Sequence, residues 1–350
     1  MSKLLDKLAS ASTIKHSAIL SDSKFFADKE ETSTDLPILN LAFGGSIESG
    51  FSSGLITIAG PSKHYKSNLG LYCVASYLTK HKDAVCLYYD SEFGAPPAYL
   101  KTFGIDTTRV IHSPVKHIEQ LKFDITNQLE IIERGDKVII FIDSIGNLAS
   151  KKEGEDALNE KSVGDMSRAK SLKSLWRIVT PELTIKDIPC ININHTYETM
   201  EMFSKAVVSG GTGGMYSSNT VFIIGRAQEK DGTELAGYKF TINIEKSRFV
   251  REKSKFAFNV YFNSGINKWS GLLDLAVDMG FVVKPKNGWY TRPTILDDKN
   301  WRSDATNCEE FWKPLFDGTN FDDALQQKFR LGAYNDDIDE VETSYDEDAI

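Results

Sequence analysis

The run Gly60, Pro61, Ser62, Lys63, His64, Tyr65, Lys66, Ser67 lies between the apolar stretch 55–59 and a helical pattern that starts at the loop's own end. Strand, loop and helix in that order fix a local architecture. Backbone N–H groups of the loop and of the first helical turn converge on one point, where an anion binds. In such a loop Lys66 reaches the β- and γ-phosphates of a nucleoside triphosphate, and the Ser67 hydroxyl ligates Mg2+. The nine residues from Gly60 to Asn68 are therefore the expected phosphate cradle. One position departs from the G-x-x-x-x-G-K-[ST] pattern: Tyr65 stands where glycine is usual, so a residue with a Cβ must make the tight turn. The plain alternative is an ordinary strand-to-helix turn with a chance Lys-Ser pair.

At 350 residues the chain has room for one large domain or two, and a composition of 41% hydrophobic and 26% charged residues is that of a globular protein. No run of 18 apolar residues is present, so no membrane span and no membrane partner are expected. Residues 1–8 read as a short amphipathic helix, not a signal peptide. Cys73, Cys86, Cys190 and Cys308 form no C-x-x-C pair, which fits reduced, buried thiols; no zinc spacing is seen. The net charge of −8 resides in the last residues: eight acids and no base follow Arg330, so residues 1–330 are neutral. The acidic balance thus belongs to a tail and does not exclude a nucleic-acid partner.

A continuous apolar run at 138–142 and strand-like runs at 85–89 and 188–193, with helical spacing at 118–132 and 165–180, give a βαβ rhythm and predict a parallel sheet wrapped by helices. After about residue 219 the strands 221–224, 238–244 and 256–262 follow without helices between them and predict an antiparallel extension. Residues 280–333, with Trp289, Trp301, Trp312 and a final helix, suit a small appended domain.

In an open α/β sheet, ligands bind at the carboxyl ends of the strands. Besides the phosphate loop, three such ends carry chemistry: Asp90 to Glu92, Asp143-Ser144 and Asn194-His195. Asp143 is placed to hold Mg2+; alone, such an Asp is also a common turn residue. Glu92 is the carboxylate that could orient water for phosphoryl transfer, and equally a surface glutamate on a loop. The long segment 196–216 contains Gly210, Gly211, Thr212, Gly213 and Gly214, with Met202, Phe203 and Lys205 before them; glycines allow close approach to a phosphate backbone, and Met202, Phe203 and Met215 could contact bases. A second polar segment, 151–161, carries Lys151, Lys152 and Lys161, and Arg168 begins a basic stretch after it. Together with the bases at 246–255 these line a groove for single-stranded nucleic acid, or are merely a solvated face.

The ordered set 60–67, 89–94, 141–144, 193–195, 210–214, 245–248 and 265–271 resembles RecA-type recombinases, most closely those of T-even phages, over about residues 30–335. The resemblance implies an α/β RecA-like P-loop ATPase core, a mostly parallel sheet with an antiparallel extension, a short N-terminal helical segment and a small C-terminal domain. Residues 1–35 would be oligomerisation segment and linker, 36–279 the ATPase and DNA-binding core, 280–334 the C-terminal domain and 335–350 a disordered acidic tail. It implies Glu92 as catalytic carboxylate beside Lys66, Tyr99 stacked on adenine, His195 with Asn194 as γ-phosphate sensor, and Lys246 and Arg248 reaching the ATP of an adjacent subunit. Segments 151–164 and 196–214 match the family's two DNA-binding loops. ATP and Mg2+ would be the cofactors. Single-stranded DNA, homologous duplex, further copies in a helical filament, and loader or single-strand-binding proteins would be the partners, in a bacterial host's cytoplasm. Phe25 or Phe26 would anchor a neighbour, or pack within its own subunit. A ring-forming RecA-fold helicase and a non-hydrolysing accessory protein stay open as alternatives. If the acidic tail competes with DNA for a basic channel, deleting residues 335–350 speeds DNA binding at low salt in stopped-flow traces; an unchanged on-rate refutes the competition.

Overall fold

The four apolar runs become adjacent central strands. A computed structural model describes residues 3–15, 17–23, 30–159, 167–199, 206–295 and 299–332. Its strands are β1 (Gly54–Ala59), β2 (Val85–Asp90), β3 (Val110–Pro114), β4 (Val138–Asp143), β5 (Pro189–Asn194), β6 (Thr196–Glu198), β7 (Ala206–Val208), β8 (Thr220–Asp231), β9 (Glu234–Lys246), β10 (Lys255–Tyr261) and β11 (Gly265–Ile266). Among the described residues one nine-stranded sheet has the order β11-β10-β9-β8-β1-β5-β4-β2-β3. From β8 to β3 all neighbours are parallel. From β8 to β11 they are antiparallel. The expected antiparallel extension therefore starts one strand later than the change in sequence: β8 still pairs parallel to β1 and then turns back as β9. The apolar pattern does not announce the edge strand β3, because His112, Ser113 and Pro114 break the run.

Successive residues of the central strands feed two opposite cores. Tyr88, Ile139 and Phe141 face one side with the helix Lys66–Lys80. Tyr89, Ile140 and Ile142 face the other with the helices Ile118–Ile131 and Ser167–Ile185. Strands β1, β4 and β5 are buried along their whole length, as covering on both faces requires.

The helix Pro37–Gly44, hidden in the sequence by its short length and flanking glycines, is buried at all eight residues. Pro37 starts it and Gly45, with φ 80°, ends it. Segment 151–161, expected as a loop, instead begins as the helix Lys151–Leu158, because Ser150 and Glu153 form a reciprocal capping box. The C-terminal part has strands β12 (Val283–Lys286), β13 (Trp289–Thr291) and β14 (Trp301–Arg302), followed by helices Glu309–Gly318 and Phe321–Phe329. Its aromatic side chains join the core under β9 and β10: Phe329 lies 4.9 Å from Phe256, and Trp312 lies 6.3 Å from Trp269. Cys73, Cys86 and Cys190 are buried free thiols. No described helix is long and apolar enough to cross a membrane. The helix Lys3–Ala11 buries none of its residues and leaves Leu4, Leu5 and Leu8 exposed. Phe25, Phe26, Lys161, Met202, Phe203, Lys205 and the tail 335–350 lie outside the described residues.

Beside the Thr32–Phe51 pairing and the Glu31 carboxylate, which accepts from Gly50 N, the Glu30 carboxylate ties the linker to the core. Glu30 bridges Lys80 and Lys137, each at 2.9 Å, with His81 at 3.6 Å. Burial pushes its pKa up, but the Lys80 and Lys137 hydrogen bonds outweigh it, and the value falls from 4.5 to about 2. A depressed carboxylate contributes stability that is complete above pH 4.5 and is lost as pH falls through about 2. Glu30→Gln is expected to speed amide exchange at Thr32, which pairs with Phe51, several-fold at pH 7. The difference from wild type should shrink as pH drops below 4.5, which hydrogen exchange read by NMR checks.

Candidate active site and nucleic-acid interface

Strands β1, β5, β4 and β2 are neighbours, and Asp90 pairs in register with Asp143 as Ala59 does with Asn194. Their carboxyl ends therefore open side by side. A cleft of about 290 Å³ lies there, lined by residues 62–68, Glu92, Ile193, His195 and Phe240. Of the strand-end residues expected from the sequence, Glu92 and His195 line this cleft together with the phosphate loop.

Tyr65 makes the phosphate-loop turn in the left-handed region, φ 61° and ψ 14°, immediately before the helix Lys66–Lys80. Such a backbone costs a residue with a Cβ roughly 1–2 kcal/mol. Packing offsets it: the Tyr65 ring stacks on Phe240 at 5.3 Å and meets Phe258 at 6.0 Å. Lys66 is buried, and its ammonium donates to the Pro61 carbonyl at 2.8 Å. Burial lowers its pKa, while the charges of Glu92 and Asp143 push it back up. Tyr99 donates its hydroxyl to Asn68 Oδ1 at 2.8 Å and packs edge-on to Phe103, so its ring stands beside the loop's helix.

Asp143 is 5% exposed, and its Oδ1 is buried without a hydrogen-bond partner. Burial raises its pKa from 3.8 to about 6, the charges of Glu92 and Asp90 add to the rise, and Ser67 and Lys66 oppose it. An orphaned carboxylate oxygen beside the phosphate loop fits a divalent cation. Among the described residues no cluster of three or more His, Cys, Asp or Glu could hold a metal. A cation at Ser67 and Asp143 would thus need phosphate oxygens to complete its shell.

Asp90 aims the catalytic candidate: its Oδ1 accepts from the backbone N–H of Glu92 and of Phe93 at 3.0 and 2.7 Å. Glu92 Oε1 then accepts from Ser144 Oγ at 2.8 Å and Asn147 Nδ2 at 3.0 Å, with His195 Nε2 at 3.2 Å. The His195 hydrogen bond, helped by Ser144 and opposed by burial, holds the Glu92 carboxyl below its ordinary pKa. Sequence reasoning missed Asn147, since a lone Asn four residues past a strand end carries no spacing signal.

The two expected DNA segments share a root. Asn194 Nδ2 donates to the Ser209 carbonyl at 3.0 Å, and Ser209 N donates to His195 O at 2.8 Å, closing the second segment at its base. That segment is not a bare loop among the described residues: β6 and β7 form a hairpin, and Thr212–Ser217 is a short helix. Gly211 and Thr212 are exposed at the start of that helix, and Lys151 and Lys152 are exposed on the capped helix. Several of the residues expected at the DNA or at a neighbouring subunit also make contacts within this chain. Arg168, expected to face DNA, turns inward and donates to the carbonyls of Ile145, Gly146 and Leu148, within 3.4 Å of the Ser209 hydroxyl as well. Gly210 is required by packing, with φ 93° and only 2.5 Å between its built Cβ and Leu172 Cδ1; Gly213 and Gly214 likewise abut Lys173 and Trp176 of the same helix. Within this chain Lys246, expected to reach another subunit, donates to the carbonyls of Met215 and Tyr216 at 2.8 and 2.9 Å. Arg248 beside it is exposed.

A family model described as the RecA N-terminal domain matches residues 15–267. The chain belongs to the RecA family. A second model, the C-terminal domain of the bacteriophage T4 recombination and repair protein, matches residues 269–325. The "Recombination and repair protein" of Enterobacteria phage T4 is 57% identical over 355 residues, 99% of this chain and 90% of that protein. "Protein RecA" of Bifidobacterium breve is 28% identical over 68% of this chain and 59% of its own length. "Protein RecA" of Kineococcus radiotolerans is 26% identical over 82% and 80%. The RecA match spans the phosphate loop, Glu92, Asp143, His195 and the segments 151–164 and 196–214 in one block.

The Asp143 charge has a measurable consequence. Because its folded pKa is raised, stability falls as pH rises from 3.8 through about 6. Asp143→Asn removes that fall, on the order of 2–3 kcal/mol. Calorimetry at pH 7.5 should show a melting temperature a few degrees above wild type, with ATP hydrolysis reduced at least ~100-fold.

Proposed function

We propose that the chain polymerises on single-stranded DNA with ATP bound between neighbours, pairs the strand with a homologous duplex and exchanges strands. As a RecA-family recombinase it acts in recombination and repair and hydrolyses ATP in response to DNA. The amides of residues 60–68 and Lys66 would hold the triphosphate, with Tyr99 on the base. Ser67 and Asp143 would hold Mg2+, which neutralises phosphate charge when bound. Glu92 orients water, and His195 relays the state of the γ-phosphate to the second DNA segment, whose base it closes. Lys151, Lys152, Gly211 and Thr212, on the two segments, would face DNA. Lys246 and Arg248 would serve the nucleotide of an adjacent subunit, Lys246 leaving its two carbonyls to do so. The exposed leucines of the helix Lys3–Ala11 would cover a neighbouring copy. A loader and a single-strand-binding protein would assist, in the cytoplasm of a bacterial host.

The observation that carries this reading is the contact between Glu92 and the roots of both DNA segments, Asn147 and His195. It puts the hydrolytic carboxylate at a point that DNA occupancy would disturb. Steady-state hydrolysis with and without single-stranded DNA is the test. Strong stimulation in wild type, with losses of at least ~100-fold in Lys66→Ala and Glu92→Gln, is the expected outcome. Hydrolysis indifferent to DNA would overturn the reading.

A further inference from the structure

Asn147 ends the short turn Ile145–Asn147 between β4 and the helix Lys151–Leu158. Its carboxamide is used on both sides. Nδ2 donates to Glu92 Oε1 at 3.0 Å, and Oδ1 lies 3.1 Å from His195 Nε2, the nitrogen that also contacts Glu92. A neutral amide offers a donor and an acceptor at once, so it joins a carboxylate to an imidazole without adding charge. The side chain is exposed, so core packing does not dictate its position.

The turn beneath it is held fast. Arg168 grips the carbonyls of Ile145, Gly146 and Leu148. At Gly146 an added Cβ would overlap His195 Cδ2, so only glycine lets the turn lie against that ring. The Asn147 backbone therefore moves only if the turn moves. The turn is tied through Arg168 to Ser209, where the second DNA segment closes on His195, and it leads directly into the first.

We propose that Asn147 is a positioning residue for ATP hydrolysis, holding Glu92 against His195 in the DNA-free protein and releasing it when DNA engages the two segments rooted there. The inference rests on Glu92 being the carboxylate that orients water. An oxygen already accepting from Ser144, Asn147 and His195 is a weak acceptor for a further proton. Losing the Asn147 donor restores part of its basicity and its freedom to turn toward the cleft.

The test is steady-state hydrolysis by the full chain carrying Asn147→Ala or Asn147→Asp, with and without saturating single-stranded DNA, beside Glu92→Gln. Both Asn147 variants lose the donor to Glu92, and Asp keeps an acceptor for His195. The expected result is a DNA-free kcat about tenfold higher, equivalent to about 1.4 kcal/mol in barrier. The DNA-saturated kcat should stay within about twofold and the KM for ATP unchanged, so the stimulation ratio falls in both variants; a purely structural role would move both rates together. An unchanged DNA-free rate, a parallel fall of both rates, or an Asp variant that behaves as wild type overturns the proposal while Glu92→Gln is inactive. An active Glu92→Gln would overturn the assignment of Glu92 and the proposal with it.

Discussion

Asp143 carries its carboxylate where almost no water reaches it, and Lys66 is the cation whose charge draws it back toward ionisation. Neither group is at ease. The lysine is itself desolvated and donates to a carbonyl of its own loop, and one carboxylate oxygen has no partner. A buried charge of this kind is tolerated only when a ligand compensates it. The surrounding architecture supports that arrangement: four parallel strands, covered on both faces, hold the phosphate loop, Asp90, Asp143 and Asn194 at one height. The fold is rigid where the charges are strained, and binding of a metal–triphosphate would relieve the strain.

Around that centre the polar groups form a connected set. Asp90 fixes the backbone of Glu92; Ser144, Asn147 and His195 fix its side chain; Asn194 and Ser209 close the second DNA segment; Arg168 ties the root of the first segment to Ser209. Asn147 and His195, at the roots of the two segments, each contact Glu92 directly.

The central sheet was legible because β1, β2, β4 and β5 are predominantly apolar runs, a pattern fixed by burial on both faces. The strand-end positions of Glu92, Asp143 and His195 followed from the same runs. What escaped depends on contacts distant in sequence. β3 is an edge strand with exposed polar residues, and the helix Pro37–Gly44 is too short to show a period. Arg168, Gly210 and Lys246 read as surface chemistry because charge and glycine are ambiguous until their neighbours are known. Arg168 meets carbonyls some twenty residues away, Lys246 meets carbonyls some thirty away, and no spacing rule reports either.

Tyr65 gives the phosphate loop a handle that glycine would lack. Its ring rests on Phe240, and Phe240 and Lys246 belong to the same strand, β9. Six residues of strand separate them, roughly 20 Å of a nearly inextensible ribbon. One end of that ribbon braces the turn of the phosphate loop. The other ends in Lys246, whose ammonium holds the Met215 and Tyr216 carbonyls of the helix Thr212–Ser217. A single strand thus joins the packing of the phosphate-loop turn to that of a helix in the second segment, with no flexible connection between them.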